Sequence, residues 1–201
     1  MAEMLRLFVA ITLPSAILES LAAIQQRLSA DTPHGVVRWV DPRGIHLTLK
    51  FLGDAPAAQQ PELERALDHA AGEQQPFELV LSELGCFPSE RRPRVVWVGL
   101  AGALPELHAL RDDVERTITP LGYPTEDRPF SPHLTLGRVR REASASQASL
   151  LGGQVVRSKQ METRAWRVSS VSLMQSELSP GGATYTELHR VRFRRAASDS
   201  A

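Results

Sequence analysis

The sequence has little of what most quickly classes a protein. It holds one cysteine, Cys86, among 201 residues, which excludes an internal disulfide framework and a multi-cysteine zinc site. It has no net charge, because 23 Lys and Arg balance 23 Asp and Glu. Duplex binders are usually basic, since phosphate contacts supply their affinity. A DNA duplex is therefore not an expected partner, and any RNA contact is expected to be local and small. No run approaches the roughly 20 apolar residues that span a bilayer. Leu5 to Leu13 is apolar but short, with no basic region or cleavage-like pattern beside it. The expectation is a soluble, cytoplasmic monomer without membrane contact. What remains is ordinary globular composition, 42% hydrophobic and 23% charged. The length fits one domain or two small packed lobes.

The chain repeats itself. Arg6 to Leu13 is rich in strand formers and ends at Pro14, which suits a helix start. Ile17, Leu18, Leu21, Ile24 and Leu28 then recur at helical spacing over Ser15 to Leu28. A loop with Pro33 and Gly35 leads to Gly44 to Gly53, which alternates with a period of two and predicts a strand. The second half follows the same order. Arg94 to Leu100 predicts a strand, and Leu104 to Ile118 a helix with Leu104, Leu107, Leu110, Val114 and Ile118 on one face. A loop with Pro120, Gly122, Pro124 and Pro129 then leads to the strand Pro132 to Gly137. Such repetition suggests two related lobes. Pro61 to Ala71 predicts a helix and Phe77 to Leu84 a strand. Arg141 to Gly153 predicts a surface loop or short helix. Val168 to Met174 and Thr184 to Arg194 predict strands joined through the turn Pro180-Gly181-Gly182. A single domain over 1–195 with a disordered tail at 196–201 is expected. The expected architecture is α+β, with antiparallel sheets facing each other across a cleft and helices outside.

Both repeats contain His-Leu-Thr-Leu, at His46 to Leu49 and His133 to Leu136. Successive strand side chains point to opposite faces. Simple alternation puts His46, Thr48 and Lys50 on one face, with Ile45, Leu47, Leu49 and Phe51 on the other. His133 and Thr135 likewise share a face opposite Leu134 and Leu136. Each motif anchors its strand with leucines and presents an imidazole beside a hydroxyl. Two such pairs meeting across a cleft suit phosphodiester hydrolysis without a metal. One neutral imidazole takes a proton from water while the other, protonated, gives one to the departing oxygen. Threonine hydroxyls hold the phosphate oxygens. A single His-x-Thr in a strand is usually structural; two in equivalent settings point to catalysis. A metallohydrolase is the less favoured reading, because neither motif has further ligands at metal-binding spacing.

The same residues resemble the 2H phosphoesterase superfamily, in particular its bacterial LigT-like branch of RNA 2′,3′-cyclic phosphodiesterases, also called 2′–5′ RNA ligases. Supporting likenesses are the opening Arg6 to Ile11, Phe51 to Gly53, Arg94 to Gly99, Arg128 to His133, and Tyr185-Thr186. The resemblance implies a bilobal fold and hydrolysis of a terminal 2′,3′-cyclic phosphate to a 2′-phosphate, with no cofactor or metal and with reversible 2′–5′ ligation in some members. It implies His46 as proton donor and His133 as proton acceptor, with Thr48 and Thr135 beside them. The substrates implied are RNA ends, tRNA fragments among them, or cyclic nucleotides. Phe51 and Phe130 are candidates to stack on a base, although alternation turns Phe51 away from His46. Arg128 and Arg138 are candidates to neutralise phosphate, Arg138 only if Gly137 introduces a bulge or twist that corrects its parity. A nucleotide-binding module without chemistry is the alternative that complete motifs disfavour. His34, His69, His108 and His189 are expected to be structural or solvated, Cys86 a small buried hydrophobe, and Arg91 to Arg94 an exposed turn.

Overall fold

The computed structural model describes residues 3–126, 128–158, 163–179 and 182–194. The elements are β1 (Met4–Thr12), α1 (Ser15–Ala30), β2 (Val37–Trp39), β3 (His46–Pro56), α2 (Gln60–Ala71), β4 (Phe77–Phe87), β5 (Val95–Gly102), α3 (Leu104–Ile118), β6 (His133–Val139), α4 (Ala145–Arg157), β7 (Ala165–Val168), β8 (Ser170–Ser179) and β9 (Gly182–Arg192). All pairings are antiparallel. One sheet has the order β3-β1-β8-β9 and the other β2-β6-β5-β4-β7. This is the expected two-lobed α+β architecture. Among the described residues no helix is long and apolar enough to cross a membrane.

Three elements differ from expectation. The polar segment 141–153 becomes α4, closed at its start by a capping box in which Ser144 and Gln147 bond each other's backbone N–H. That box offsets two helical glycines, and Leu151 and Val155 are fully buried. The short β2 was not foreseen; three residues are too few to show a period. The strand expected over 168–174 is two strands, β7 and β8, which part at Ser169 and enter different sheets. Pro180 and Gly181 of the expected turn, and the tail 196–201, lie outside the described residues.

The lobes are not the sequence halves. β4 closes the first half yet pairs with β5, and β8 from the second half pairs with β1. The helices cross as well. α3 lies on β3 and α2 on β8 and β9, while α1 is bound to β6 through Gln25 and α4 lies on β4. The buried sets of α1 (Ile17, Leu21, Ile24, Gln25, Leu28) and α3 (Leu107, Leu110, Val114, Glu115, Ile118) correspond, each with one polar member. Those helices cover one face of each sheet and leave the other face to the groove. Leu7, Val9, Ile11, Leu47 and Leu49 go to the covered side of the first sheet, and Val96, Val98, Leu134 and Leu136 to that of the second.

Each histidine strand carries a bulge at the last leucine of its motif. In β3 the partners run Ala10 to Thr48 and then Val9 to Lys50, so Leu49 is extra, and a second shift follows at Leu52. In β6 they run Trp97 to Thr135 and then Val96 to Gly137, so Leu136 is extra. An extra residue reverses the face of everything beyond it. Lys50 therefore leaves the His46 face and is fully buried. Its Nζ donates to Glu115 Oε2 of α3 at 2.6 Å and to the Pro124 carbonyl at 2.8 Å. Arg111 Nη2 neutralises the other Glu115 oxygen at 3.0 Å. The β6 bulge is held from α1, where Gln25 Nε2 donates to the Leu136 and Val40 carbonyls, both at 2.8 Å. Each bulge is thus fixed by a polar residue of the other half's helix.

Removing one partner of a buried pair leaves a lone charge in the core, at a cost of about 3–5 kcal/mol, whereas an apolar replacement of both is often neutral. Lys50→Met is expected to lower stability in denaturant titrations by less than that amount, because Arg111 still faces Glu115. Replacing all three charges, as Lys50→Met with Glu115→Leu and Arg111→Met, is expected to recover most of the loss.

Candidate active site

His46 and His133 each open a strand, and these two strands, β3 and β6, approach each other with Cα atoms within 8 Å. Each imidazole is held in the same way. His46 Nδ1 donates to the Gly44 carbonyl at 2.8 Å, and His133 Nδ1 to the Ser131 carbonyl at 2.7 Å, in both cases two residues upstream. A carbonyl only accepts, so each neutral ring carries its hydrogen on Nδ1 and keeps a lone pair on Nε2. Aromatic rings wall both imidazoles. Phe8 stacks on His46 at 4.7 Å between centroids, and Tyr185 meets it edge-on at 4.8 Å. Phe87 meets His133 edge-on at 4.9 Å and packs against Trp97 at 5.0 Å. The Trp97 indole lies over Gly85, where a Cβ would sit 2.3 Å from the ring.

Both imidazoles have pKa values below the ordinary 6.5. Burial is the main cause for each, opposed by the bond to the upstream carbonyl; Arg138 adds a repulsive push on His133. Both rings are therefore neutral at pH 7 in the free protein, and an anion in the groove favours protonation.

The bulges correct two expectations of simple alternation. Phe51 pairs with Phe8 on the His46 face; its ring lies 6.3 Å from that of Phe8 and is 61% exposed. Lys50 is the residue that turns away. In the second motif the bulge brings Arg138 onto the face of His133 and Thr135, since Arg138, Thr135 and His133 pair with Val95, Trp97 and Gly99. The conditional expectation for Arg138 is met, with Leu136 rather than Gly137 as the extra residue. Phe51 and Arg138 thus occupy equivalent places, five residues after each histidine. Thr48 and Thr135 lie half-buried beside their histidines, as alternation requires.

The remaining candidates are placed apart. Phe130 packs partly against the main core, edge-on to His108 at 5.4 Å and with Arg111 5.8 Å from its ring centre, so its described neighbours belong to α3. Arg128 is exposed, with no described hydrogen bond or ion pair. His34 and His69 are exposed, and His189 bonds Asp68 at 2.9 Å. Cys86 is buried, which with nearby Glu90 pushes its thiol up to about 12. Among the described residues no three His, Cys, Asp or Glu side chains group so as to hold a metal ion. Phe8, Phe87, Trp97 and Gln25 were not foreseen as site residues. Only a paired register, which one strand read alone does not contain, would have revealed them.

A family model, LigT like Phosphoesterase, matches the chain twice, over residues 11–97 and 98–185. The chain belongs to this family. The boundary between the two matches in the LigT-like chain falls inside β5, the strand that opens the second repeat. It is 33% identical over 190 residues to an RNA 2′,3′-cyclic phosphodiesterase of Methanothermobacter thermautotrophicus, covering 94% of this chain and 98% of that one. A protein of the same description from Thermus thermophilus is 32% identical over 195 residues, covering 94% and 91%. The likeness therefore reaches archaea as well as bacteria. Among solved structures, E. coli LigT complexed with 3′-AMP superposes with a TM-score of 0.76 at 27% identity, covering 95% of this chain and 99% of that one.

Burial is the main reason the His133 pKa is low and Arg138 adds to it, so Arg138→Gln is expected to raise the His133 titration midpoint slightly while leaving that of His46 in place. Histidine NMR titration checks this; a His133 midpoint that does not move contradicts the assigned cause.

Proposed function

We infer that this LigT-like chain is an RNA 2′,3′-cyclic phosphodiesterase that opens a terminal cyclic phosphate to a 2′-phosphomonoester. The observation that carries the reading is the duplicated imidazole, each anchored at Nδ1 by a carbonyl and each with no Nε2 partner among the described residues. Its relatives' shared description supports the same activity. Residues 1–195 act as one bilobal domain and as a monomer, because a single chain supplies both histidines. RNA ends as substrate place the enzyme in the cytoplasm.

In this mechanism His133 Nε2 takes a proton from water as the water oxygen attacks phosphorus. The bond from phosphorus to the ribose 3′-oxygen breaks, and His46 Nε2–H delivers its proton to that oxygen. Solvent exchange then resets both rings. With the 5′-hydroxyl of a second RNA in place of water, the same attack on phosphorus breaks the bond to the 3′-oxygen, which takes its proton from His46, and leaves a 2′–5′ linkage. Thr48 and Thr135 donate to the non-bridging oxygens, and Arg138 neutralises their charge. Phe51, the exposed ring at the equivalent place, stacks on the terminal base. Phe130 supports the loop that leads to His133, and Arg128 is a weaker candidate for a phosphate contact. No metal takes part.

Each proton transfer typically contributes ~10²–10⁴-fold. His46→Ala and His133→Ala are each expected to lower turnover of RNA ending in a 2′,3′-cyclic phosphate by about that factor, with an unchanged melting temperature. The double variant is expected to lose far less than the product. A folded single variant with full turnover refutes the assignment, and tight nucleotide binding without turnover in the wild type favours a binding module. The acid must be protonated, and its protonated fraction falls as pH rises through a pKa already below 6.5. The kcat/KM profile is therefore expected to peak on the acid side of 6.5 and decline above it.

A further inference from the structure

The outer strand of the second sheet carries a charge that the reaction just described does not use. Arg38 of β2 stands directly opposite Arg138 of β6 in register, between the pairs Val37–Val139 and Trp39–Gly137. A Cβ on Gly137 would strike Val37 and Trp39 at 2.6 and 2.9 Å, so those three share the covered face. By alternation Arg38 shares the open face with Arg138, and both are exposed. Neither has a carboxylate or hydrogen-bond partner among the described residues. Asp41, the acidic residue nearest to Arg38 on its C-terminal side, is taken by Arg43 through both carboxylate oxygens.

Like charges directly opposite on neighbouring strands destabilise a sheet. A chain with no net charge nevertheless sets two arginines side by side on the groove face. An anion with two charged groups in sequence relieves that repulsion, and a polynucleotide backbone is such an anion. Arg138, five residues beyond His133, serves the reacting phosphate. Arg38 stands one strand further out, at the edge of the sheet.

We propose that Arg38 binds the phosphodiester on the 5′ side of the terminal nucleotide, so that the site distinguishes an RNA end from a free cyclic mononucleotide. The proposal rests on the phosphodiesterase reading. The ligand class is single-stranded RNA of at least two nucleotides. Guanidinium suits it, being always charged and able to bond two phosphate oxygens at once. The bulge at Leu136 makes the pairing possible, since it turns Arg138 out to the face that Arg38 shares.

The test compares two substrates, cytidine 2′,3′-cyclic monophosphate and a trinucleotide ending in a 2′,3′-cyclic phosphate, with wild type, Arg38→Gln and Arg38→Lys. In Arg38→Gln the trinucleotide-to-mononucleotide ratio of kcat/KM is expected to fall about tenfold, as for loss of one charged hydrogen bond. The salt dependence for the trinucleotide is expected to flatten by about 0.7 in log–log slope, one single-strand phosphate contact. Arg38→Lys is expected to keep that slope. The melting temperature of Arg38→Gln is expected to equal or exceed the wild-type value, because a repulsive pair is gone. Equal losses on both substrates, or no loss on either, overturn the proposal. Wild-type protein that opens neither substrate overturns the phosphodiesterase reading itself.

Discussion

One extra residue in each histidine strand, Leu49 in β3 and Leu136 in β6, decides which side chains meet the groove. Up to the bulge, alternation puts histidine and threonine on the open face and leucine in the core. Beyond it the faces exchange, so Lys50 and Gly137 turn inward while Phe51 and Arg138 turn out. A bulge disrupts its ladder and persists when neighbours satisfy the freed groups. Here Gln25 supplies two amide hydrogens to the carbonyls beside the Leu136 bulge. Glu115 and the Pro124 carbonyl receive the lysine that the Leu49 bulge sends inward. Because Gln25 and Glu115 sit on helices of the opposite halves, neither half completes its own histidine strand.

The two histidine strands repeat the same local features in unlike surroundings. Both imidazoles are held by the carbonyl two residues upstream, and both lose proton affinity to burial. Around His46 the groove is aromatic, with Phe8, Tyr185 and Phe51. Around His133 the groove combines Phe87 and Trp97 with the charge of Arg138. Phe51 and Arg138 take equivalent places, so one backbone plan presents an apolar ring on one side and a cation on the other.

Much of this was legible in the sequence. The two His-Leu-Thr-Leu strands, the helices Leu104 to Ile118 and Pro61 to Ala71, and the leucine-anchored histidine faces follow from periodicity and repetition alone. What was hidden depends on pairing. A bulge is a relation between two strands, and neither Lys50 nor Phe51 carries a local mark of it. Strict alternation therefore misplaced both. The crossing of β4 and β8 was hidden for the same reason, since strand order is written in long-range contacts and not in the segments. α4 was obscured by its small polar residues and two glycines, although Ser144 and Gln147 stood at capping-box spacing.

The central claim is that both imidazoles act on one phosphorus atom. It is tested most directly by following the His46 and His133 ring nitrogens by NMR while a nucleoside 2′-monophosphate is added. The account predicts that both midpoints rise together on saturation with a single equivalent, since one phosphate dianion faces both Nε2 atoms. A rise at one ring alone, or two rises that saturate at different concentrations, would contradict it.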